Sequence, residues 1–235
     1  VIAVISIFYW NRSTASAGEP ESSTTVQPKY IGKLKFLALG DSYTIGESVA
    51  PSDRWPNQLA AQIRDGKIDL SDPLIIARTG WTTGDLLSAM DAAKLTDKYD
   101  LVMVLIGVNN QYQGRSEDEY RHQFVELLNR SIALADGKAD RVVVLSIPDW
   151  GVTPFGRSSD AQQIAKEIDR FNAINREETK KTRAAYVDVT PASRQAATQP
   201  DLVADDGLHP SAKQYALWVA EATAAARSAL VGNAR

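Results

Sequence analysis

The chain has 235 residues, a formal net charge of −3 and no cysteine; that length suits one domain with a sizeable core, and the missing thiols rule out disulfides, thiolate metal sites and a cysteine nucleophile. Dispersed basic residues on a slightly acidic chain argue against nucleic acid as a partner. With only His122 and His209 to draw on, a histidine-built metal site is disfavoured as well, so no metal is expected.

Residues 1–10 form an apolar run ending in Tyr9-Trp10, shorter than the roughly 20 residues that span a bilayer. Asn11-Arg12 follows, and Ala15-Ser16-Ala17 has the small-x-small form of a signal-peptidase site. Without an initial Met, the chain is expected to lack its true N-terminus, and residues 1–17 read as the remnant of a signal peptide or membrane anchor. The expected protein is exported, either free or tethered to a membrane at this end. Residues 18–29 continue a stretch rich in Ser, Thr, Glu and Pro, which cannot bury enough surface to offset its ordering entropy and reads as a flexible linker. The folded domain is placed at residues 30–235.

Within it, apolar runs alternate with amphipathic stretches. Residues 34–39 predict a first strand that stops at Gly40. Residues 55–64 predict a helix with Pro56 in its first turn, where a missing N–H costs nothing. Residues 74–77 predict a short strand, and residues 83–93 a helix capped by Thr82 or Thr83. The unbroken apolar run 101–106 suits a central parallel strand covered on both faces. Ser116-Glu117-Asp118-Glu119 opens a long helix on which Tyr120, Phe124, Leu127, Leu128 and Ala135 recur at helical spacing. Residues 142–147 predict a fourth strand, stopped by Pro148. Ser159 or Asp160 caps the next helix, with Ala161, Ile164, Ile168, Phe171 and Ile174 as its inward stripe. Residues 185–189 are the fifth strand, residues 191–202 read mostly as loop, and Pro210 is expected to start a last helix carrying Ala212, Tyr215, Ala216, Val219 and Ala226 on one side. Five strands alternating with helices predict one α/β domain, a parallel sheet with helices on both faces.

Each strand end is polar: Gly40-Asp41-Ser42, then Arg78-Thr79-Gly80-Trp81, then Gly107-Val108-Asn109-Asn110, while the final loop holds Asp205-Asp206-Gly207-Leu208-His209-Pro210. Taken singly these are ordinary turn sequences. In a parallel sheet they share one rim, where ligands of open α/β folds bind. Together they fit acyl transfer. Ser42 needs a base to take its proton, His209 can be that base, and Asp206, three residues earlier, can orient the ring and stabilise the imidazolium. Asp205 is the less favoured acid. His122 lies off the apolar stripe of its helix and reads as solvated. Donors for an oxyanion are available from the Ser42 N–H, from Gly80 and from the Asn109 amide. Tyr43, Trp81, Tyr112, Trp150 and Phe155 are the aromatics near this rim; Tyr43, Trp81, Trp150 and Phe155 are expected to shape a substrate pocket, the alternative being that they pack loops onto the core. Arg78 and Arg157 suit solvated surface better than an anion site.

In order along the chain, Gly40-Asp41-Ser42-Tyr43, Gly80, Gly107-Val108-Asn109-Asn110 and Asp206-Gly207-Leu208-His209 resemble the four blocks of the SGNH (GDSL-type) hydrolases, in their bacterial serine esterase/lipase branch. The resemblance runs from about residue 33 into the last helix. It implies a flavodoxin-like three-layer α/β/α sandwich with a five-stranded parallel sheet, and esterase or lipase hydrolysis without a cofactor. By position it makes Ser42 the nucleophile, His209 the base and Asp206 its orienter, with Ser42, Gly80 and Asn109 as the oxyanion hole. Two positions depart from the pattern. Asn110 stands where Asp is common, which alters local hydrogen bonding and charge but not an expected oxyanion donor, and Tyr43 stands where many members carry Leu.

The expectation is a monomer that cleaves a small, short-acyl carboxylic ester through an acyl-enzyme, the short acyl chain following from the lack of a long apolar lid segment. A non-catalytic carbohydrate- or ligand-binding module on the same fold is the competing reading. A nucleotide or flavin binder is disfavoured, because Gly40-Asp41-Ser42-Tyr43-Thr44 has neither phosphate-loop pattern.

Overall fold

A computed structural model describes residues 31–232. The expected leader and linker, residues 1–17 and 18–29, lie outside the described residues, as do the ends of the expected domain.

Five strands form one parallel sheet: β2 (Phe36–Gly40), β4 (Leu74–Ala77), β5 (Leu101–Leu105), β6 (Val142–Leu145) and β7 (Ala185–Val187), in the spatial order β4-β2-β5-β6-β7. The inner strands β2, β5 and β6 are buried at every residue, as their unbroken apolar sequences require, whereas the edge strand β4 is half exposed. Helices α2 (Trp55–Ile63) and α8 (Ala212–Val231) pack on each other, and α8 lies along β5, β6 and β7. Helix α3 (Thr83–Ala93) packs on α5 (Glu117–Leu134), which in turn packs on α6 (Ala161–Lys180). The result is the three-layer α/β/α sandwich that the alternating sequence predicts. On α6, Ile164, Ile168, Phe171 and Ile174 are all buried, and each such side chain contributes about 2 kcal/mol relative to exposure. Among the described residues no helix is long and apolar enough to cross a membrane.

The chain runs from β2 outward to β4 and then crosses back to β5 on the other side of β2. The strand order therefore reverses between β2 and β5, and the connections leaving those two strands diverge to leave a crevice at their carboxyl ends. That crevice receives Ser42 from β2 and Asn109 from β5.

Several element boundaries differ from the sequence reading. The expected strand 34–39 is two strands. β1 (Ile31–Leu34) pairs in parallel with β3 (Ile68–Leu70) in a separate two-stranded sheet, and β2 begins at Phe36. Lys35 makes the break, since its N–H donates to Asp100 Oδ2 at 2.9 Å instead of to a neighbouring strand. Residues 108–112 form a short helix, α4 (Val108–Tyr112), not anticipated from the sequence. The expected loop 191–202 contains α7 (Thr190–Arg194) and two 3-10 turns, Gln195–Ala197 and Pro200–Leu202. Pro191 sits in the first turn of α7, where proline is tolerated. Helix α8 begins at Ala212, not at Pro210: the Ser211 hydroxyl caps it by accepting from the Gln214 N–H at 3.3 Å, and Pro210 pairs with Val203 in an isolated antiparallel bridge. Of the alternative caps, Thr82 closes α3 in a reciprocal box with Asp85, and Asp160 caps α6.

Candidate active site

Ser42 is the first residue of a one-turn helix, α1 (Ser42–Ile45), capped by Asp41, whose Oδ1 accepts from the Tyr43 N–H at 3.0 Å. The turn off β2 is tight. A methyl group on Gly40 would lie 2.1 Å from Thr44 Oγ1 and 2.3 Å from the Leu105 carbonyl oxygen, so only glycine fits. Strand pairing fixes the approach, because Gly40 is in register with Leu105 on β5 and Ala77 on β4.

Asp41 itself is fully buried, and its Oδ2 has no hydrogen-bond partner among the described residues. Burial pushes its pKa up to about 7 against the pull of backbone donors, of which the Tyr43 N–H is the largest. A pKa raised on folding means stability that is present below the usual value of 3.8 and lost as pH rises through about 7. Asp41→Asn keeps the cap acceptor and removes the charge. It is expected to be more stable than the parent by roughly 2–4 kcal/mol at pH 8, with the gap closing towards pH 4, as read by denaturant unfolding at the two pH values. An equal effect at both would show that the carboxyl does not titrate in this way.

The final loop is built around one carboxylate. Asp206 Oδ1 accepts from the N–H groups of Leu208 and His209, both at 2.9 Å, and Oδ2 lies 2.6 Å from His209 Nδ1 and accepts from the Ser48 hydroxyl at 2.6 Å. Burial pushes this carboxyl's pKa up, but the bonds from Ser48, His209 and the two backbone N–H groups outweigh it and hold the group well below the usual carboxylate range. It is therefore a carboxylate wherever His209 is to act as a base. Asp205 is exposed and takes no part in these bonds. The loop is pinned on the other side too, where the Ala204 N–H donates to the His209 carbonyl oxygen at 2.7 Å. The His209 ring is buried and meets the Tyr43 ring edge-on, with centroids 5.6 Å apart.

Ser42, Gly80, Asn109 and His209 line one cavity of about 170 Å³, with Tyr43, Thr79, Val108, Tyr112, Trp150, Phe155 and Leu208. No direct hydrogen bond joins the Ser42 hydroxyl to the imidazole among the described residues; such bonds are often long before substrate arrives. Gly80 has φ of 86°, a conformation that strains any other residue. The Asn109 Nδ2 donates to the Trp81 carbonyl oxygen at 2.9 Å, which leaves the second amide proton for a ligand.

The aromatic residues divide. Tyr112, Trp150 and Phe155 make one wall, with ring centroids 5.4–6.3 Å apart, and the Trp150 indole N–H donates to Gln111 Oε1 at 2.8 Å. Tyr43 is buried at the cavity floor against His209 and Trp218. Trp81 does not line the cavity. Its side chain packs on the core and its carbonyl holds Asn109, a role set by backbone position that residue type does not reveal. Thr79, Val108, Leu208 and Ser48 were not singled out by the sequence, because small or aliphatic residues carry no chemical signature of their own. Arg78, Arg157 and His122 are exposed and outside the cavity.

Asn110, the departure noted above, is fully buried behind Asn109. Its Oδ1 accepts from the Thr83 N–H at 3.0 Å, and its Nδ2 donates to the Thr83 hydroxyl at 2.9 Å, tying α4 to the start of α3. The Thr83 hydroxyl donates in turn to Gln123 Oε1 on α5. A larger cleft of about 430 Å³ lies along α6 and α7, where Arg176 pairs with Asp188 at 2.7 Å and Arg194 with Asp149 and Asp169 at 2.9 and 2.8 Å. It holds none of the residues of acyl-transfer chemistry.

No curated protein sequence matches the chain. Solved structures share its fold. The psychrotrophic esterase EstA from Pseudoalteromonas sp. superimposes with a TM-score of 0.64 at 18% identity, covering 84% of this chain and 98% of its own. A lipase/acylhydrolase from Enterococcus faecalis gives 0.60 at 21%, covering 81% and 94%. A variant of the acetyl xylan esterase Axe2 from Geobacillus stearothermophilus gives 0.59 at 15%, covering 82% and 94%. The model of the GDSL-like Lipase/Acylhydrolase family matches residues 38–217, from β2 into α8, a span that holds every residue of the crevice. The chain belongs to that family and is a carboxylic ester hydrolase.

Proposed function

We propose that the protein cleaves short-acyl carboxylic esters through an acyl-enzyme on Ser42. The observation that carries this reading is the meeting of Ser42, Gly80, Asn109 and His209 around one cavity, with Asp206 Oδ2 2.6 Å from the far ring nitrogen of His209. Ser42 Oγ bonds to the ester carbonyl carbon while His209 Nε2 takes its proton. The carbonyl oxygen becomes an oxyanion, held by the Ser42 and Gly80 N–H groups and the Asn109 amide. His209 then gives the proton to the leaving alkoxide, and the alcohol departs. Water, deprotonated by the same imidazole, attacks the acyl carbon and releases the acid and Ser42. Asp206 holds the tautomer and stabilises the imidazolium in both halves.

The size of the cavity supports a short acyl chain. A cavity of about 170 Å³ is smaller than the roughly 300–1,000 Å³ of pockets for drug-sized ligands. Its wall is apolar and open at the rim, where Tyr112 and Phe155 are 59% and 47% exposed. Each buried methylene adds about 0.8 kcal/mol, so butyrate should exceed acetate by roughly 10-fold in kcat/KM, with no further gain beyond about hexanoate. Phe155→Ala is expected to remove most of that preference and leave acetate hydrolysis nearly unchanged. A p-nitrophenyl ester series, with acetylated xylan beside it, reads this out; rates still climbing at decanoate would refute the short-acyl assignment. A fluorophosphonate probe should label the protein at Ser42. Labelling at another residue, or none, would overturn the mechanism itself.

A further inference from the structure

Ser48 stands in a conformation that its residue type rarely adopts. Its φ is 65°, in the left-handed region where glycine and asparagine are the usual occupants, and Gly46 two residues earlier has φ of 69°. Such a residue persists where its surroundings dictate it. Here the surroundings are the crevice. The turn hangs from the nucleophile's own carbonyl, since the N–H groups of Gly46 and Glu47 both donate to Ser42 O at 3.0 Å. The Glu47 carboxylate accepts from the hydroxyl of Thr79, which lines the cavity beside Gly80. The Ser48 hydroxyl reaches 158 positions along the chain to donate to Asp206 Oδ2 at 2.6 Å.

We infer that Ser48 is a positioning residue: its hydroxyl locks the Asp206 carboxylate against His209 and ties that carboxylate to the turn carrying Ser42. This rests on the reading of Ser42, His209 and Asp206 as a triad. With Ser48 in place the carboxylate has four donors, two on each oxygen, and cannot rotate away from the ring. Without it, Oδ2 keeps a single partner on the imidazole. Held by three donors and not four, the carboxylate gains freedom to rock at Oδ2, and the ring it orients is held less firmly for proton transfer at Nε2. The left-handed backbone is what points the hydroxyl at Asp206, so the strain serves the site.

Ser48→Gly separates this role from a merely structural one, because glycine suits the backbone better than serine does. The variant is expected to keep its Tm within a few degrees and its KM for p-nitrophenyl butyrate, while kcat falls about 10-fold, the scale of a lost hydrogen bond to a charged group. Ser48→Asn, which tolerates the left-handed backbone and keeps a side-chain donor, should recover part of the rate. In an Asp206→Asn background Ser48→Gly should cost nothing more, since the group it positions is gone. A Ser48→Gly enzyme with parental kcat beside an inactive Ser42→Ala enzyme would overturn the inference and leave the triad standing. The same fold-loss in the Asp206→Asn background would overturn it too, by showing that the hydroxyl acts elsewhere. Turnover retained by both Ser42→Ala and Asp206→Asn would instead refute the triad reading.

Discussion

Replacing Ser42 by Ala is expected to lower kcat for p-nitrophenyl butyrate by roughly 10⁴- to 10⁶-fold while leaving the fold intact. The fold should tolerate the change because Asp41, not Ser42, caps α1, and no strand pairing depends on the hydroxyl. His209→Ala should cost about as much. The double variant should be no slower than either single one, since nucleophile and base act as a unit and removing one idles the other. Residual turnover above the uncatalysed rate would come from the oxyanion donors and from substrate binding. The measurement is kcat at high enzyme concentration, with circular dichroism and Tm confirming the fold. A Ser42→Ala enzyme within ten-fold of the parent would place the nucleophile elsewhere.

Asn109→Ala carries the second largest expected effect, a fall of roughly 100- to 1,000-fold in kcat with KM little changed. The amide has two protons. One is committed to the Trp81 carbonyl oxygen at 2.9 Å, which fixes the plane of the group, and the other is free for an oxyanion. A bond that matters only once charge has moved onto the carbonyl oxygen should act on kcat and spare ground-state binding. Asn109 is half-buried, so truncation opens no large hole in the core. Steady-state kinetics over the short esters would decide the matter. A rise in KM at constant kcat would mean that the amide binds substrate and does not stabilise the transition state.

How much of this was legible in the chain depends on the range of the interaction. The inner strands were, because β5 and β6 are buried on both faces and must be apolar throughout. So was most of the inward stripe of α6: Ile164, Ile168, Phe171 and Ile174 are buried with the helical period, while Ala161, expected with them, is exposed in the first turn. The loop around His209 was readable as well, since Asp206 meets it across three residues. Contacts between distant segments were not. Nothing near Ser48 signals a partner 158 residues away, and nothing in the type of Trp81 tells that its carbonyl, not its ring, serves the site. The break at Lys35 was hidden in the same way, because it depends on Asp100. Pro191 misled for another reason: read as a loop residue, it starts a short helix, since proline is as compatible with a first helical turn as with a loop.

The amide of Asn110 sets a direction as well as a contact. Because it donates to the Thr83 hydroxyl, that hydroxyl must spend its only proton on Gln123, so polarity runs one way from the end of β5 through α3 to α5. An aspartate in its place would accept from the hydroxyl, reverse the relay, oblige Gln123 to present its NH₂ instead, and leave a full charge sealed from water. One atom exchanged beside the crevice would thus be felt two helices away.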